Sequence, residues 1–547
     1  RMINDGVIQS ALMYLPNLPV YDESGDYARS AMIAMKNDWG INFPENPLAI
    51  AHELDIQEKM SRHNLNVNLV YEFIPDLKLS ARLGQQWYTY RYFYYRPMSL
   101  GRDSAVAYSD ALKPYNIART TSTYDVDRLG EFMLSYKKEL GRHHFDALAG
   151  YTLQKKTYDR LGVEATGFAD DRIHEVTAHG AEATDIKLYD TRKAGWSMMS
   201  FLARVNYAFD DRYTFTASFR ADGSSRFGVD SRWGYFPSVS AGWTLSNEPF
   251  LKDALDHIAT IRVRASWGKS GNNDIGNYAS IASISTGSYA FGSTPVSTTY
   301  EGSFADAALG WETTTQTNIG LDLGFFDERI GITMDIYRKT TRDLLLDASL
   351  PYSSGYYSAT KNIGKVRNDG LELSLNTVNF QTRAFKWTTN FNISFNKNEV
   401  LALSENQTAL LTAAQFDQNY NGQSSYIAKI GLPMGLMYGY VYEGTYKYDD
   451  FNKSGNSYSL KPGVAHYSTE TNTQPGMPKY ADLNGDGVVD SNDRTIIGRG
   501  LPIHTGGFTN NFEYKGIDLS IFFQWSYGND IMNANRLFFE SSNNRSR

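Results

Sequence analysis

Residues 385–396 read FKWTTNFNISFN, and apolar and polar side chains alternate along this stretch. One set of alternate positions holds Phe385, Trp387, Thr389, Phe391, Ile393 and Phe395. The other set holds only Lys, Thr, Asn and Ser. Side chains of a β-strand point to opposite faces in turn, so the pattern predicts a strand with one apolar and one polar face.

The same alternation recurs along most of the chain and predicts fourteen strands. They span residues 64–74, 77–93, 126–138, 143–156, 196–209, 213–222, 234–246, 258–269, 311–325, 330–341, 367–378, 385–397, 504–514 and 517–527. The connections between them alternate between short turns of two to eleven residues and longer loops of 11 to 106 residues. Outer-membrane barrels have this asymmetry, with short periplasmic turns and long extracellular loops, whereas a soluble β-sandwich does not require it.

The predicted fold is therefore all-β, a transmembrane antiparallel up-and-down β-barrel with long extracellular loops. Aromatic residues near the ends of the apolar stripes fit the girdles of such barrels. We expect an extracellular loop and strand approach over 1–63, barrel strands over 64–397, a long extracellular loop over 398–503, and a barrel hairpin with a following loop over 504–547. Segment 425–447 is also strand-like, but one more barrel strand would break the alternation of connections. It is therefore either an extracellular hairpin or two short strands, and the hairpin is favoured.

The composition of the 547 residues excludes several other classes of protein. The net charge is −7, which predicts no bulk attraction to nucleic acid or to an anionic membrane. Cysteine is absent, so disulfides, thiolate catalysis and cysteine-ligated metals are excluded. No run approaches the roughly 18 apolar residues of a membrane-spanning helix.

A set of short motifs occurs in a fixed order along the strands and loops. They read FRADGSSRFG at 219–228, WGYFPS at 233–238, RASWGKSGNN at 264–273, YRKTTRDLL at 337–345, NIGKVRNDG at 362–370 and DLNGDG at 482–487. This ordered set resembles the SusC/RagA family of TonB-dependent outer-membrane transporters of Bacteroidetes.

The resemblance implies a 22-stranded barrel in outer-membrane lipid, of which about fourteen strands lie in this sequence. It also implies an N-terminal plug, a SusD-like surface lipoprotein as partner, and import of glycans or, in some members, peptides. The TonB complex would act through an N-terminal region that, like the plug, is expected outside this sequence. Two alternatives remain open, a passive porin and a secreted or surface glycan-binding or adhesin protein with a dockerin-like calcium loop.

Residues 482–493 read DLNGDGVVDSND, which has the spacing of a calcium-binding loop. The predicted oxygen ligands are Asp482, Asn484, Asp486, the carbonyl of Val488, Asp490 and Asp493. Gly487 stands at the sixth position, where such loops turn sharply. The last ligand is Asp rather than the usual Glu, and the alternative is a metal-free loop rich in Asx turns. A bound Ca²⁺ would be structural.

Tyrosines form the candidate substrate-binding positions. Alternation from the apolar Leu77, Leu79 and Leu83 places Tyr88, Tyr90 and Tyr92 on the polar face, with Tyr94 beyond them. A tyrosine ring can lie against a sugar ring while its hydroxyl bonds a substrate hydroxyl, although packing at the barrel rim explains the same residues. Loop residues Tyr356 and Tyr357 present the same choice.

Arg262 and Arg264 also face the lumen by alternation, where they would contact the plug or an acidic substrate. Enzyme motifs fail on spacing, and no catalytic residue is predicted. His174 and His179 lie five positions apart, whereas a zinc-protease helix needs four, and Val263 replaces the leading glycine of a P-loop ending in Gly268-Lys269-Ser270.

Overall fold

In a computed structural model of the chain, the main structural element is one large antiparallel β-sheet. The structure describes residues 6–14, 16–28, 45–100, 116–176, 186–252, 258–292, 294–304, 306–349, 352–356, 358–404, 407–413, 424–467 and 473–536.

Within these described ranges, fourteen long strands follow one another in the sheet in sequence order, as expected for an up-and-down barrel. They are β1 Asp55–Ile74, β2 Leu77–Arg96, β3 Ile117–Leu140, β4 His143–Thr166, β5 Arg192–Phe209, β6 Tyr213–Ser224, β7 Trp233–Thr244, β8 Ile258–Asn272, β9 Glu312–Phe325, β10 Ile330–Arg342, β11 Lys365–Gln381, β12 Phe385–Ala402, β13 His504–Tyr514 and β14 Ile517–Tyr527. The short strand Ile186–Leu188 pairs with β4. The prediction of fourteen meandering strands is confirmed.

Several strands are longer than predicted at the end that carries the long connections, called here the loop end. β1 begins at Asp55 rather than 64, β3 at Ile117 rather than 126, and β4 ends at Thr166 rather than 156. Backbone pairing continues there, with Asp55 opposite Tyr95 and Ile117 opposite Thr166. The sequence pattern missed these residues because a strand that rises above the lipid needs no apolar face.

The two faces of the sheet have opposite chemistry. Val67 lies opposite Leu83, Val239 opposite Trp267, and Leu371 opposite Phe395, which places the apolar stripes side by side on one surface, called here the outer face. Their side chains, like those of Phe215 and Phe219, are exposed rather than packed against a second sheet. Lipid contact requires such an exposed apolar surface, and the opposite, inner face is polar.

An aromatic girdle lines the outer face at the opposite, turn end of the sheet. The Tyr213 ring stacks on Trp243 with centroids 6.3 Å apart. Glu248, in the connection after β7, accepts hydrogen bonds from the Tyr213 hydroxyl at 2.5 Å, Trp243 Nε1 at 2.9 Å and Arg212 Nη1 at 2.9 Å. These donors hold the pKa of the Glu248 carboxyl below its usual value, Tyr213 contributing most.

The connection after β7 contains a helical turn. A 3₁₀ turn at Leu245–Asn247 leads into helix α3 at Pro249–Lys252, and residues 253–257 lie outside the described part. Helices α1 and α2 precede β1 at Val7–Met13 and Pro47–Glu53. None of the helices in the described ranges is long and apolar enough to cross a membrane.

The connection between β12 and β13 folds outside the large sheet. Four strands form a small sheet there, namely Ala409–Ala413, Ser424–Lys429, Leu436–Gly439 and Thr495–Arg499. Tyr426 pairs with Met437 and Ile427 with Leu436, so segment 425–447 begins with a hairpin, as favoured from the sequence.

The remaining elements are short strands and turns in the connections. Strands lie at Ile284–Phe291, Thr294–Glu301, Leu345–Ser349, Ser358–Asn362, Tyr442–Thr445, Phe451–Ser454, Ser457–Leu460, His466–Tyr467, Pro478–Tyr480 and Val488–Val489, and 3₁₀ turns at Met98–Leu100, Tyr352–Ser354, Tyr448–Asp450 and Ser491–Asp493. The buried clusters lie at the loop end, where Tyr95, Ala118, Ala165 and Phe168 pack together.

Candidate functional site

Four tyrosines of β2 form a ladder on the inner face near the loop end. Successive ring centroids of Tyr88, Tyr90, Tyr92 and Tyr94 are each 6.5 Å apart, and the planes of neighbouring rings differ by 6°, 17° and 21°. The spacing arises because every second residue of a strand points to the same face. The ladder therefore presents a row of nearly parallel rings, here called the tyrosine ladder.

Arginines lie over both ends of the tyrosine ladder. The guanidinium carbon of Arg62 is 5.4 Å from the Tyr88 ring centre, and that of Arg119 is 5.4 Å from the Tyr94 ring centre. Such cation–π contacts hold a ring in place. Neither arginine was indicated by the sequence pattern, because Arg62 and Arg119 lie in the parts of β1 and β3 that extend beyond the predicted strands. Continuing the alternation from Asn64 and Asn66 back to Arg62 would have found the first.

The members of the ladder differ in accessibility. Tyr94 is 8% exposed and packs with Ile56, Leu100 and Ile117, while Tyr92 packs against the same cluster. Tyr88, Tyr90 and Tyr92 are all half-buried, but only Tyr92 of these three packs against the cluster. Packing at the barrel rim thus accounts for Tyr92 and Tyr94, which lie nearer the loop end. Tyr88 and Tyr90 remain the rings with a surface that a ligand can reach.

Ion pairs cover the inner face of β3 and β4 beside the ladder. Lys156 Nζ lies 3.0 Å from Asp125 Oδ2, and Arg160 Nη2 lies 2.7 Å from Asp190 Oδ2. At the loop end of the sheet, Glu164 Oε2 is 2.6 Å from Arg119 Nε. Positive and negative groups therefore neutralise each other, and the wall is polar without a strong net charge.

The two lumen-facing arginines are in different environments. Arg264 donates to Asp322, with Nε–Oδ2 at 2.7 Å, and to Asp335, with Nη2–Oδ2 at 3.2 Å. Arg262 Nη2 lies 3.4 Å from Thr214 Oγ1, and its buried Nε finds no hydrogen-bond partner among the described residues. Arg264 is thus held by two carboxylates, whereas Arg262 makes one long contact with a threonine hydroxyl.

Residues 482–493 fold into a tight loop held by its own side chains. Gly485 and Gly487 adopt φ of 77° and 84°, in the left-handed region that glycine enters at no steric cost. Asp482 accepts hydrogen bonds from the backbone N–H groups of both glycines at 2.7 and 2.8 Å. The buried Asp493 accepts N–H bonds from Leu483, Asn484 and Asp490 between 2.8 and 3.3 Å.

The oxygen ligands of this loop meet part of what a hard cation such as Ca²⁺ requires. A carboxylate offers about four lone-pair sites, so Asp482 keeps capacity beyond its two N–H bonds. Asn484 Oδ1 and Asp486 Oδ1 each accept one backbone N–H, from Asp486 and Val488. Nowhere in the described ranges, however, do three acidic or histidine side chains converge as a metal-binding group. Side-chain rotation within the loop would have to bring these oxygens together around an ion.

The other singled-out residues have structural contacts. Tyr356 meets Phe304 edge to face with centroids 5.8 Å apart, and Tyr357 lies outside the described residues. His174 stacks on Tyr95 with ring centroids 4.4 Å apart, and His179 lies outside the described residues.

Asp171, which the sequence did not indicate, joins two connections at the loop end. It accepts hydrogen bonds from the Tyr95 hydroxyl, Met98 N and Asn116 Nδ2 at 2.8–2.9 Å, and so it links the connection after β4 to the connection after β2.

An up-and-down antiparallel sheet with an exposed apolar outer face, an ion-paired inner face and long connections at one end defines a transmembrane barrel of the outer-membrane class. Comparison with known sequences narrows this class. The sequence model of the family described as "TonB dependent receptor-like, beta-barrel" matches residues 9–485. The chain belongs to this family, and it is of the SusC/RagA type and located in the outer membrane.

Individual relatives agree with this assignment. TonB-dependent receptor P3 of Formosa agariphila is 32% identical over 530 residues, which cover 96% of this chain and 50% of that protein. TonB-dependent receptor SusC of Bacteroides thetaiotaomicron is 29% identical over 550 residues, covering 96% of this chain and 50% of that protein. This chain thus spans about half the length of these relatives.

A solved structure has the same fold. A chain of the RagAB peptide transporter matches this one with a TM-score of 0.73 at 24% sequence identity. The match covers 95% of this chain and 53% of that chain.

Proposed function

We propose that the whole protein is an active importer of oligomeric nutrients, driven by TonB and working with a SusD-like surface lipoprotein. The observation that carries this proposal is the tyrosine ladder beside an ion-paired wall on the inner face, next to the loop end. A ladder of rings with accessible Tyr88 and Tyr90 gives repeated contact sites to a repeating molecule. The long connection 403–503, with its own small sheet, gives a partner protein a large surface at the same end.

The transported oligomer is a glycan or a peptide. Aromatic faces suit sugar rings because the apolar face of the sugar covers the ring while hydroxyls bond to neighbouring polar groups. The balanced charges of Lys156, Asp125, Arg160 and Asp190 suit neutral or zwitterionic chains better than strongly charged ones. RagAB, which shares the fold, is a peptide transporter, so both classes belong in the test.

Uptake by cells that carry the full-length protein tests the proposal. A panel of fluorescently labelled neutral oligosaccharides and oligopeptides is supplied with and without a protonophore, which removes the energy that TonB transmits. Active import predicts uptake that stops with the protonophore. A passive porin would continue to admit the same oligomers, and a surface adhesin would retain them outside the cell, so either result would reject the proposal.

The role of the ladder is tested separately in the same cells. Replacing Tyr88 and Tyr90 by Ala should lower uptake of the admitted oligomer, because its stacking contacts are lost. Tyr124→Ala is the matched control, since Tyr124 lies on the outer face opposite Thr89 and is exposed. Energy-dependent uptake that the double variant leaves unchanged would refute the ladder as the binding site while leaving the import function intact.

We also propose that the loop 482–493 binds Ca²⁺ as a structural ion. The spacing of oxygen ligands and the unused lone pairs of Asp482, Asn484 and Asp486 support the proposal. The ion would cross-link the loop that leads into the strand Thr495–Arg499, and so stabilise the small sheet in the longest connection.

A further inference from the structure

The outer face is basic at the loop end, although the chain as a whole carries a net charge of −7. Strand alternation and pairing place many lysines and arginines above the apolar stripes on this face. These basic residues are Lys59, Arg91, Arg128, Lys155, Lys193, Lys269, Arg338, Arg342, Lys365, Arg367 and Lys397. The acidic residues at the same positions are Asp55, Asp159, Asp369 and Glu399. The excess of positive charge is therefore local to this surface.

The densest group lies on β10, β11 and β12. Arg338 Nε is 2.7 Å from Asp369 Oδ1, Arg367 Nε is 3.1 Å from Asp369 Oδ2, and Arg367 Nη2 is 2.7 Å from Glu399 Oε2. Lys397 lies opposite Asp369 on the next strand and is exposed, and the Arg338 side chain is 64% exposed. The two carboxylates orient the guanidinium groups, and three basic residues against two acidic ones leave a positive surface.

An apolar groove lies directly below this basic group. Its volume is about 870 Å³, and Ile319, Ile336, Leu371 and Phe395 form its apolar wall. Arg338, Asp369 and Lys397 line its polar end, and Arg499 joins them from the long connection. The apolar wall continues the lipid-contacting stripes of β9 to β12, so a molecule in the groove would touch charge and hydrocarbon at once.

We propose that this groove holds a phosphorylated glycolipid of the outer leaflet, with its phosphate on Arg338, Arg367 and Lys397 and an acyl chain along the apolar wall. Guanidinium groups match phosphate oxygens geometrically, and basic pockets beside membrane-spanning segments bind anionic lipid headgroups. A free phosphate would not use the apolar wall. A transported oligomer would pass along the inner face, on the opposite side of the sheet.

Lipid binding to the purified full-length protein in detergent tests this site. The probe is diphosphorylated lipid A, and native mass spectrometry measures the bound fraction across a range of lipid concentrations. The triple variant Arg338→Gln, Arg367→Gln, Lys397→Gln should bind roughly a hundredfold more weakly, because three positive groups that attract the phosphate are removed. The double variant Arg338→Lys, Arg367→Lys keeps the charge but loses the forked guanidinium geometry, so its affinity should lie between those of the wild type and the triple variant.

The matched control removes three lysines from the inner face at the turn end, with Lys78→Gln, Lys137→Gln and Lys386→Gln. These residues lie opposite Glu72, Asp146 and Glu513 and should not affect lipid binding. Heat-modifiable migration on gels verifies that every variant forms a barrel. The proposal is rejected if the basic triple variant binds like the wild type, if dephosphorylated lipid A binds equally well, or if inorganic phosphate displaces the lipid at equal concentration.

Discussion

Arg264 and Asp322 form a doubly hydrogen-bonded ion pair on the inner face, with Nε–Oδ2 at 2.7 Å and Nη2–Oδ1 at 3.0 Å. The same guanidinium also reaches Asp335, and Asn318 Nδ2 donates to Asp335 Oδ1 at 2.8 Å. Because Arg264 lies on β8, Asp322 on β9 and Asp335 on β10, this network joins three consecutive strands. It makes the polar lumen a contributor to the stability of the sheet.

Arg264→Gln should destabilise the protein measurably. The substitution leaves Asp322 and Asp335, which are 28% and 19% exposed, without their cation. Loss of one partner from a fully buried pair costs about 3–5 kcal/mol, and we expect roughly 1–3 kcal/mol here because solvent screens the network in part. Equilibrium unfolding by urea in lipid vesicles measures the change.

Arg338→Gln is the control for the Arg264 experiment. Its pair with Asp369 has similar geometry, but the arginine side chain is 64% exposed. Exposed pairs contribute about 0–1 kcal/mol. Equal losses in the two variants would contradict the view that partial burial gives the Arg264 network its importance.

Val239→Arg should be far more costly than Ser240→Arg. Val239 faces outward between Ala217 and Trp267, whereas Ser240 faces inward between Thr216 and Ser266. A charge on the lipid face near the bilayer midplane costs about 2–4 kcal/mol, while the lumen accepts it. The two positions are neighbours in one strand, so depth and strand context are matched. Folding yields into vesicles decide the matter, and similar yields would mean that the face assignment is wrong.

Protonation of Glu248 should weaken the anchor of the aromatic girdle. Its pKa is held below the usual value by the Tyr213 hydroxyl, the Trp243 indole and Arg212. A depressed pKa contributes stability that is present above the unfolded-state value of about 4.3 and is lost as the pH falls through the lower folded-state pKa. The stability difference between wild type and Glu248→Gln should therefore stay constant from neutral pH to about pH 5 and shrink below it.

Urea unfolding across this pH range measures the effect of Glu248. Glu513→Gln serves as the control, because Glu513 also lies at the turn end but is weakly bound. Its side chain is 56% exposed, and its ion pair with Lys386 is long, at 4.0 Å. The control should show little stability difference at any pH. A difference for Glu248→Gln that does not change between neutral and strongly acidic pH would rule out the ionised carboxylate as the source of the anchor.

The sequence predicted those parts of the strands in which lipid contact requires apolar side chains on one face. Phe215 and Thr216, or Val239 and Ser240, indicate their faces because one must contact hydrocarbon and the other must not. The apolar stripe ends where β1 continues from His63 to Asp55, since a strand that rises above the lipid needs no apolar outer face. Backbone pairing alone defines that part of the strand, and so the arginine over Tyr88 escaped notice.

The candidate sites were predictable to a different degree. The alternation on β2 indicated that Tyr88 to Tyr94 share one face, but burial of Tyr94 depends on Ile56, Leu100 and Ile117, which come from other segments. Similarly, alternation placed Arg264 in the lumen, whereas its pairing with Asp335 depends on the register between strands far apart in the sequence. Local patterns determine the face of a residue, and tertiary register determines its partner.

Removal of calcium should loosen the longest connection and leave the barrel intact. If Ca²⁺ links Asp482, Asn484 and Asp486, a chelator removes that link, and the segment around 482–493 should become sensitive to limited proteolysis. The strands of the large sheet should stay protected, because their stability derives from backbone pairing and lipid contact. Isothermal titration with CaCl₂ should detect binding to wild type and none to the double variant Asp482→Ala, Asp486→Ala.

The matched control for calcium is Asp449→Ala, which removes an acidic residue from the 3₁₀ turn Tyr448–Asp450 in the same connection. It should bind calcium and resist proteolysis like the wild type. The hydrogen bonds that Asp493 accepts from Leu483, Asn484 and Asp490 stabilise the loop without a metal. If proteolytic cleavage is the same with calcium and with chelator, these hydrogen bonds alone hold the loop together. That result would refute the proposal of a structural Ca²⁺ ion.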